Sequence, residues 1–267
     1  MKKAVYTVFL IDCVYILTLS VASLFSNNYT LYLLFRYIAL ILPLVALIFV
    51  ARRDELRDKR ILPKKDGALM TLPLIAPTIL AVIGISYVTA LLLNPVLGAP
   101  KAGAEIAGGG EFLLHALIPS FFEELVFRFV PLVLLAPHSK RGAIVISSLL
   151  FAFVHFNPYQ IPYALVAGAI YMAADLAFNS PLPGIAMHLL NNVTALLWQR
   201  EGFAPIVLTV LALLTVVSAI AVILARKQYK RAFSFFLDKG DREEIPVLPV
   251  LLVAVSFIVA FVTYVGC

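Results

Sequence analysis

Residues 204–225 read APIVLTVLALLTVVSAIAVILA, and the stretch holds no ionisable side chain. About 20 apolar residues in a helix cross the hydrocarbon core of a bilayer, so this segment reads as a transmembrane helix. A spanning β-barrel would need alternating segments of about ten residues, whereas this run is continuous. In lipid the backbone must satisfy its own hydrogen bonds, which leaves the helix.

Working outward, eight further apolar segments lie at about 4–26, 29–51, 68–94, 111–136, 142–156, 161–179, 184–199 and 246–265. Of the 267 residues, 62% are hydrophobic and 13% charged, and the mean hydropathy is +0.99. Soluble domains carry roughly 25% charged residues. A water-soluble globular enzyme and a disordered chain are both excluded. Two cysteines, Cys13 and Cys267, make no disulfide framework. The expected fold is all-α: a polytopic transmembrane helix bundle of eight to nine spans, since segments 142–156 and 184–199 are short. No repeat and no long polar stretch divides the chain, so 1–267 is expected to be a single integral-membrane domain. Met1-Lys2-Lys3 and Ser20-Val21-Ala22 have the outline of a signal peptide. The apolar run continues through Leu24 and Phe25, and we read it as a retained first helix.

The net charge is +6, with the bases clustered between apolar runs. Loop 51–67 carries seven of them, from Arg52 to Lys65, loop 226–245 carries six, from Arg226 to Arg242, and Lys140 and Arg141 form a third group. With nine spans all three lie on the side of Lys2 and Lys3, which the positive-inside rule makes cytoplasmic. A multi-pass protein of the cell membrane is expected, with membrane lipid as a partner and no nucleic acid.

Charge at the bilayer centre costs at least about 2.5–3.5 kcal/mol per residue even on insertion scales, so ionisable groups there are paired or functional. The buried candidates are Asp12, Arg36, Glu123, Glu124, Arg128, His155, Asp175 and His188, with Asn191 and Asn192 beside the last. Glu124 and Arg128 are four residues apart, acid before base, the favourable order for a pair on one helix face. Glu123 points about 100° away on the same helix. Phe151 and His155 share a face of one span, and His188 and Asn192 share a face of another. Taken singly, the Glu123-Glu124-Arg128 cluster reads equally well as packing between helices, and each histidine motif reads better as packing. Together they supply what peptide hydrolysis needs: a carboxylate or histidine to take a proton from water, and histidine and amide donors for an oxyanion. Glu123 and His155 lie at matching depths, roughly 21–22 Å along their helices from Lys140-Arg141.

Glu123-Glu124-Leu125-Val126-Phe127-Arg128, Phe151 to His155, and His188 to Asn192 resemble the three motifs of the CAAX protease and bacteriocin-processing (ABI) family. That family includes the type II CAAX prenyl endopeptidases. Its pattern is Glu-Glu-x-x-x-Arg, Phe-x-x-x-His and His-x-x-x-Asn or Asp, on separate helices; here the motif-bearing core is about 111–199. The resemblance implies an intramembrane endopeptidase of the glutamate type, acting near the C-terminus of prenylated or other membrane-bound peptides. Glu123 and His155 would activate water, His188 and Asn192 would hold the oxyanion, and Glu124 and Arg128 would support the site. No cofactor and no metal are expected. Phe122, Phe127 and Phe151, with Phe121 and Tyr171, are candidate walls of a substrate chamber open to lipid and to water.

Two alternatives stay open. One is a zinc peptidase with Glu123, His155 and His188 as ligands, although the chain lacks His-Glu-x-x-His. The other is a non-catalytic scaffold or transporter that uses the polar cluster for packing or proton relay, which Asp12, Arg36 and Asp175 would suit.

Overall fold

The computed structural model describes residues 2–23, 28–50, 65–98, 112–155 and 157–236. The expected span 246–265, the basic positions 52–64 and 239–242, and Met1 lie outside the described residues, as does the side chain of Arg36.

Every element among the described residues is helical, and no strand occurs. Helices α1 (Lys2–Ser23), α2 (Tyr29–Val50) and α3 (Lys65–Leu97) come first. Helix α4 runs over 112–134 in four joined parts: a π-helical Phe112–Leu117, an α-helical Ile118–Glu124, a π-helical Leu125–Phe129 and an α-helical Val130–Leu134. Then follow α5 (Lys140–Phe153), α6 (Ile161–Phe178), α7 (Leu182–Trp198), α8 (Phe203–Leu224) and α9 (Arg226–Ala232), with a final 3₁₀ turn at Ser234–Phe236. Among the described residues, three helical stretches are long and apolar enough to cross a membrane: Gly67–Leu97, Ile161–Phe178 and Phe203–Leu224. Helix α5, at 14 residues, rises only about 21 Å, less than the hydrocarbon thickness.

Local chemistry sets the helix ends that matter to the site. Ser139 caps α5, its hydroxyl accepting the Gly142 N–H at 2.9 Å. Asn179 ends α6 in the left-handed conformation at φ 51°, a common helix stop. The turn to α7 is tight, with Pro181 and Pro183 at its entry. Pro183 has no N–H to leave unsatisfied, and the Leu182 N–H bonds the Ser180 hydroxyl at 3.1 Å. Hydroxyls elsewhere turn back on the preceding turn, as Thr78 does on Leu74 O at 2.6 Å and Ser148 on Ile144 O at 2.5 Å. A polar side chain can thereby sit in an apolar helix without an open valence.

Helices α1 and α2 pack as a pair, as do α5 and α6, while α3 packs on α6, α7 and α8. Helix α4 lies against α7, α5 and α6. The main core joins Val5 and Val8 of α1 to Val126, Phe127 and Val130 of α4, and to Ile146 and Leu150 of α5. Gly168 on α6 lets that helix approach closely. A Cβ there would stand 3.1 Å from Ser148 Cα and 3.3 Å from a guanidinium nitrogen of Arg128. This small-residue contact follows the packing habit of membrane helices.

Candidate active site

Arg128 is the largest fully buried side chain among the described residues. Its Nε lies 3.3 Å from Glu124 Oε2, with both residues at 0% exposure. Its guanidinium carbon sits 3.7 Å from the centre of the Phe151 ring and 5.6 Å from that of Tyr171. A planar cation between aromatic faces is held by the ring quadrupoles as well as by its carboxylate. The i, i+4 pair expected from spacing is present, although a π turn begins between its members. The Val130 N–H reaches back to Leu125 O, five residues earlier. Such π turns inside α-helices recur at functional sites.

Glu124 has a second partner on another helix. Its Oε1 lies 2.8 Å from Nδ1 of His188. One turn away on both helices, Asn192 Nδ2 donates to Ser120 Oγ at 3.3 Å. The pairs 120 with 192 and 124 with 188 show that α4 and α7 run antiparallel along this face. Ser120 also donates to Ala116 O at 2.5 Å.

His155 stands just beyond the end of α5. Its Nδ1 is 2.7 Å from Phe151 O. A carbonyl only accepts, so Nδ1 carries the proton, and in the neutral ring Nε2 is a bare base. The Phe151 ring lies between the two histidines, edge-on to both, 4.8 Å from His155 and 5.5 Å from His188. Tyr171 stacks on His188 at 5.9 Å, and Tyr163 flanks His155 at 6.4 Å.

A cavity of about 850 Å³ opens against these groups. This size suits a ligand site of the usual 300–1,000 Å³. Phe151, His155, Tyr163, Tyr171, His188, Asn191 and Asn192 line it on one side. Helix α3 closes the other side with Leu80, Ile83, Gly84 and Tyr87. Tyr87, Trp198 and Leu208 line it too and are exposed on the outside of the bundle, so the cavity reaches the outer surface between α3, α7 and α8.

Three of the four expected site residues, His155, His188 and Asn192, therefore meet at one cavity. Glu123 does not line it. It is half-buried and lies within electrostatic reach of Tyr163, which does. Among the chamber candidates, Phe151 and Tyr171 are in the wall, while Phe121, Phe122 and Phe127 are not. Phe127 is fully buried, edge-on to Tyr15 at 5.3 Å, because its helix face turns toward α1. Phe122 is half-buried against the main core and pairs with Phe121, which is 43% exposed. Sequence reasoning missed Ser120, Tyr163 and Gly184 entirely, and the Glu124–His188 contact as well. One signal was available: Ser120 precedes Glu124, and Gly184 precedes His188, by the same four residues. Among the described residues no three His, Cys, Asp or Glu side chains are grouped as a metal ion requires. The zinc alternative thus finds no ligand set there.

Neither the curated proteins nor the solved structures yield a match. Over residues 109–194, the segment that holds all three motifs, the chain is similar to the family described as type II CAAX prenyl endopeptidase Rce1-like.

Proposed function

We propose that the protein is an intramembrane endopeptidase of the glutamate type, a single membrane domain crossing the cell membrane eight or nine times with its basic loops in the cytoplasm. The observation that carries the reading is the convergence of His155, His188 and Asn192 on one cavity, backed by the buried Glu124–Arg128 pair. Packing alone calls for no cavity beside such a cluster.

The roles follow from what each group is free to do. Glu124 is fully buried, with one oxygen toward Arg128 and the other toward His188, so it is a support. Glu123 is the carboxylate that keeps partial exposure, within electrostatic reach of Tyr163 in the cavity wall. Together with the bare Nε2 of His155 it takes a proton from water as the water oxygen attacks the scissile carbonyl. His188 and Asn192 face the oxygen on which negative charge develops. The Nδ1–H of His188 rests on Glu124, so Nε2 donates when the ring carries both protons. Collapse of the tetrahedral intermediate breaks the C–N bond, and the departing amine takes up the proton removed from water. The apolar mouth between α3, α7 and α8 suits a lipid-modified peptide, whose chain enters from hydrocarbon while its peptide bond meets water.

The test uses purified protein in lipid nanodiscs and a farnesylated peptide ending in a CAAX sequence, with the unmodified peptide as control. Wild type is expected to release the C-terminal tripeptide, and to keep doing so after prolonged chelation. Glu123→Gln and His155→Ala should remain folded and lose turnover by about 10²–10⁴-fold, the range for removal of a general base. Full activity in both variants would sink the roles given to Glu123 and His155, and no cleavage by wild type would sink the endopeptidase reading and favour the scaffold or transporter.

A further inference from the structure

The two polar contacts between α4 and α7 continue to a third level, where the pattern changes. Beyond 120 with 192 and 124 with 188, four residues further along each helix stand Arg128 on α4 and Gly184 on α7. Position 184 is a glycine and has no side chain to offer. Asp175 of α6 fills the place instead. Its Oδ1 accepts the Gly184 N–H at 2.7 Å. A Cβ on Gly184 would fall 2.7 Å from Glu124 Oε2 and 2.8 Å from Asp175 Oδ2. Real Cβ atoms do not come that close, so two carboxyl groups converge on a spot that only glycine leaves open. Asp175 and Gly184 are both buried, as is Glu124.

The start of α7 explains the demand for Asp175. The first N–H groups of a helix have no partner within it. Leu182 N–H uses Ser180, Pro183 has none, and Ile185 N–H uses Pro181 O at 3.0 Å. The Gly184 N–H uses Asp175, at the favourable positive end of the helix. Gly184, His188 and Asn192 follow one another at four-residue intervals, so they share one face, one turn apart. Whatever fixes Gly184 along and around the axis of α7 also fixes the height and rotation of His188 and Asn192.

We propose that Asp175 is a positioning residue of the candidate site: by holding Gly184 it seats α7 so that His188 meets Glu124 and Asn192 meets Ser120 at the cavity wall. The inference rests on the endopeptidase reading for its catalytic consequence, and on geometry alone for the seating. A mere helix cap would support stability and nothing else.

Three variants separate the possibilities, each studied in nanodiscs well below its own melting temperature. Asp175→Leu removes the acceptor. Asp175→Asn keeps a carbonyl oxygen for the Gly184 N–H and offers an amide to Glu124. Gly184→Ala pushes both carboxyl groups aside. Two signals are read: the kcat and KM on the farnesylated peptide, and the ring ¹⁵N resonance of His188 in histidine-labelled protein, identified by its loss in His188→Gln. Asp175→Leu and Gly184→Ala should lower kcat by roughly 10²-fold, the scale of a misplacement near 1 Å, and should shift the His188 resonance. KM should stay within about twofold, because His188 and Asn192 act on an oxyanion that develops only after substrate has bound. Asp175→Asn should recover most of the turnover and restore the resonance. The proposal is overturned if Asp175→Leu lowers only thermal stability while kcat and the resonance keep their wild-type values. It is also overturned if Asp175→Asn is as inactive as Asp175→Leu with His188 undisturbed. Should Asp175→Leu not fold, Gly184→Ala carries the same comparison. Should wild type not cleave the peptide, the endopeptidase reading fails, and the resonance still decides the seating.

Discussion

Helices α7 and α8 are neighbours in sequence and in space, and both are apolar, yet they are held by different forces. Helix α8 buries only Val207, Leu211 and Ser218 among its 22 residues. Leu213, Val216, Val217 and Ile223 are each more than 60% exposed. Helix α7 buries its first two turns and makes polar contacts to three side chains on two other helices. In a bilayer the tails around α8 are as apolar as leucine, so exposure there carries no penalty and burial little gain. Specific position in such a protein comes from groups that lipid cannot satisfy. The polar wall between α4 and α7 should thus be sensitive to single changes and α8 tolerant of them.

The largest expected effect lies at the centre of that wall. Arg128→Leu removes the cation from a carboxylate that is fully buried. Breaking a buried pair on one side costs about 3–5 kcal/mol, so the melting temperature should fall steeply and folded yield with it. Thermal unfolding in a single detergent checks this. A variant as stable as wild type would mean that the wall is not what holds α4 to α7.

A smaller effect is expected on the far side of the cavity. Gly84 of α3 lines the cavity, and a Cβ there meets nothing within 4 Å. Gly84→Leu should fill space without strain in the wall. Turnover of a farnesylated peptide should fall by roughly tenfold, equivalent to about 1.4 kcal/mol, while thermal stability is unchanged or slightly raised. Equal loss with a short unmodified peptide would show that α3 does not shape the entry for the lipid chain.

Ser120→Ala tests the outermost rung. It removes the acceptor of Asn192 and one hydroxyl bonded within its own helix. A typical net hydrogen bond is worth about 1 kcal/mol, so a modest stability loss and a severalfold drop in kcat are expected. The smallest effect belongs to α8. Leu213→Ala on its outer face should change stability by no more than about 0.5 kcal/mol, a value typical of substitutions away from packed features. A loss as large as that of Arg128→Leu would reverse the comparison and make α8 a specified interface.

Much of this was legible in the chain. The apolar runs predicted helices where α1 to α8 lie, because a segment in lipid has no other way to satisfy its backbone. The spacing of Glu124 and Arg128 predicted their pairing, since four residues return to the same helix face. The motifs placed His155, His188 and Asn192 as partners before any contact was visible. Less legible were Phe122 and Phe127, read as chamber walls and found against the core. Aromatic character does not say which way a helix face turns, and π turns on both sides of Ile118–Glu124 alter that direction.

By itself, then, the sequence determined the helical segments, the membrane-like surface and the chemical types gathered in the polar cluster, because these depend on composition and on intervals within a single helix. Tertiary structure decided the rest. It brought Glu124 to His188 across 64 positions of chain, put Asp175 where Gly184 leaves room, and opened the cavity beside them. Those outcomes depend on how helices lie against one another, and helix-to-helix distances of a few ångströms are written in no local interval of the chain.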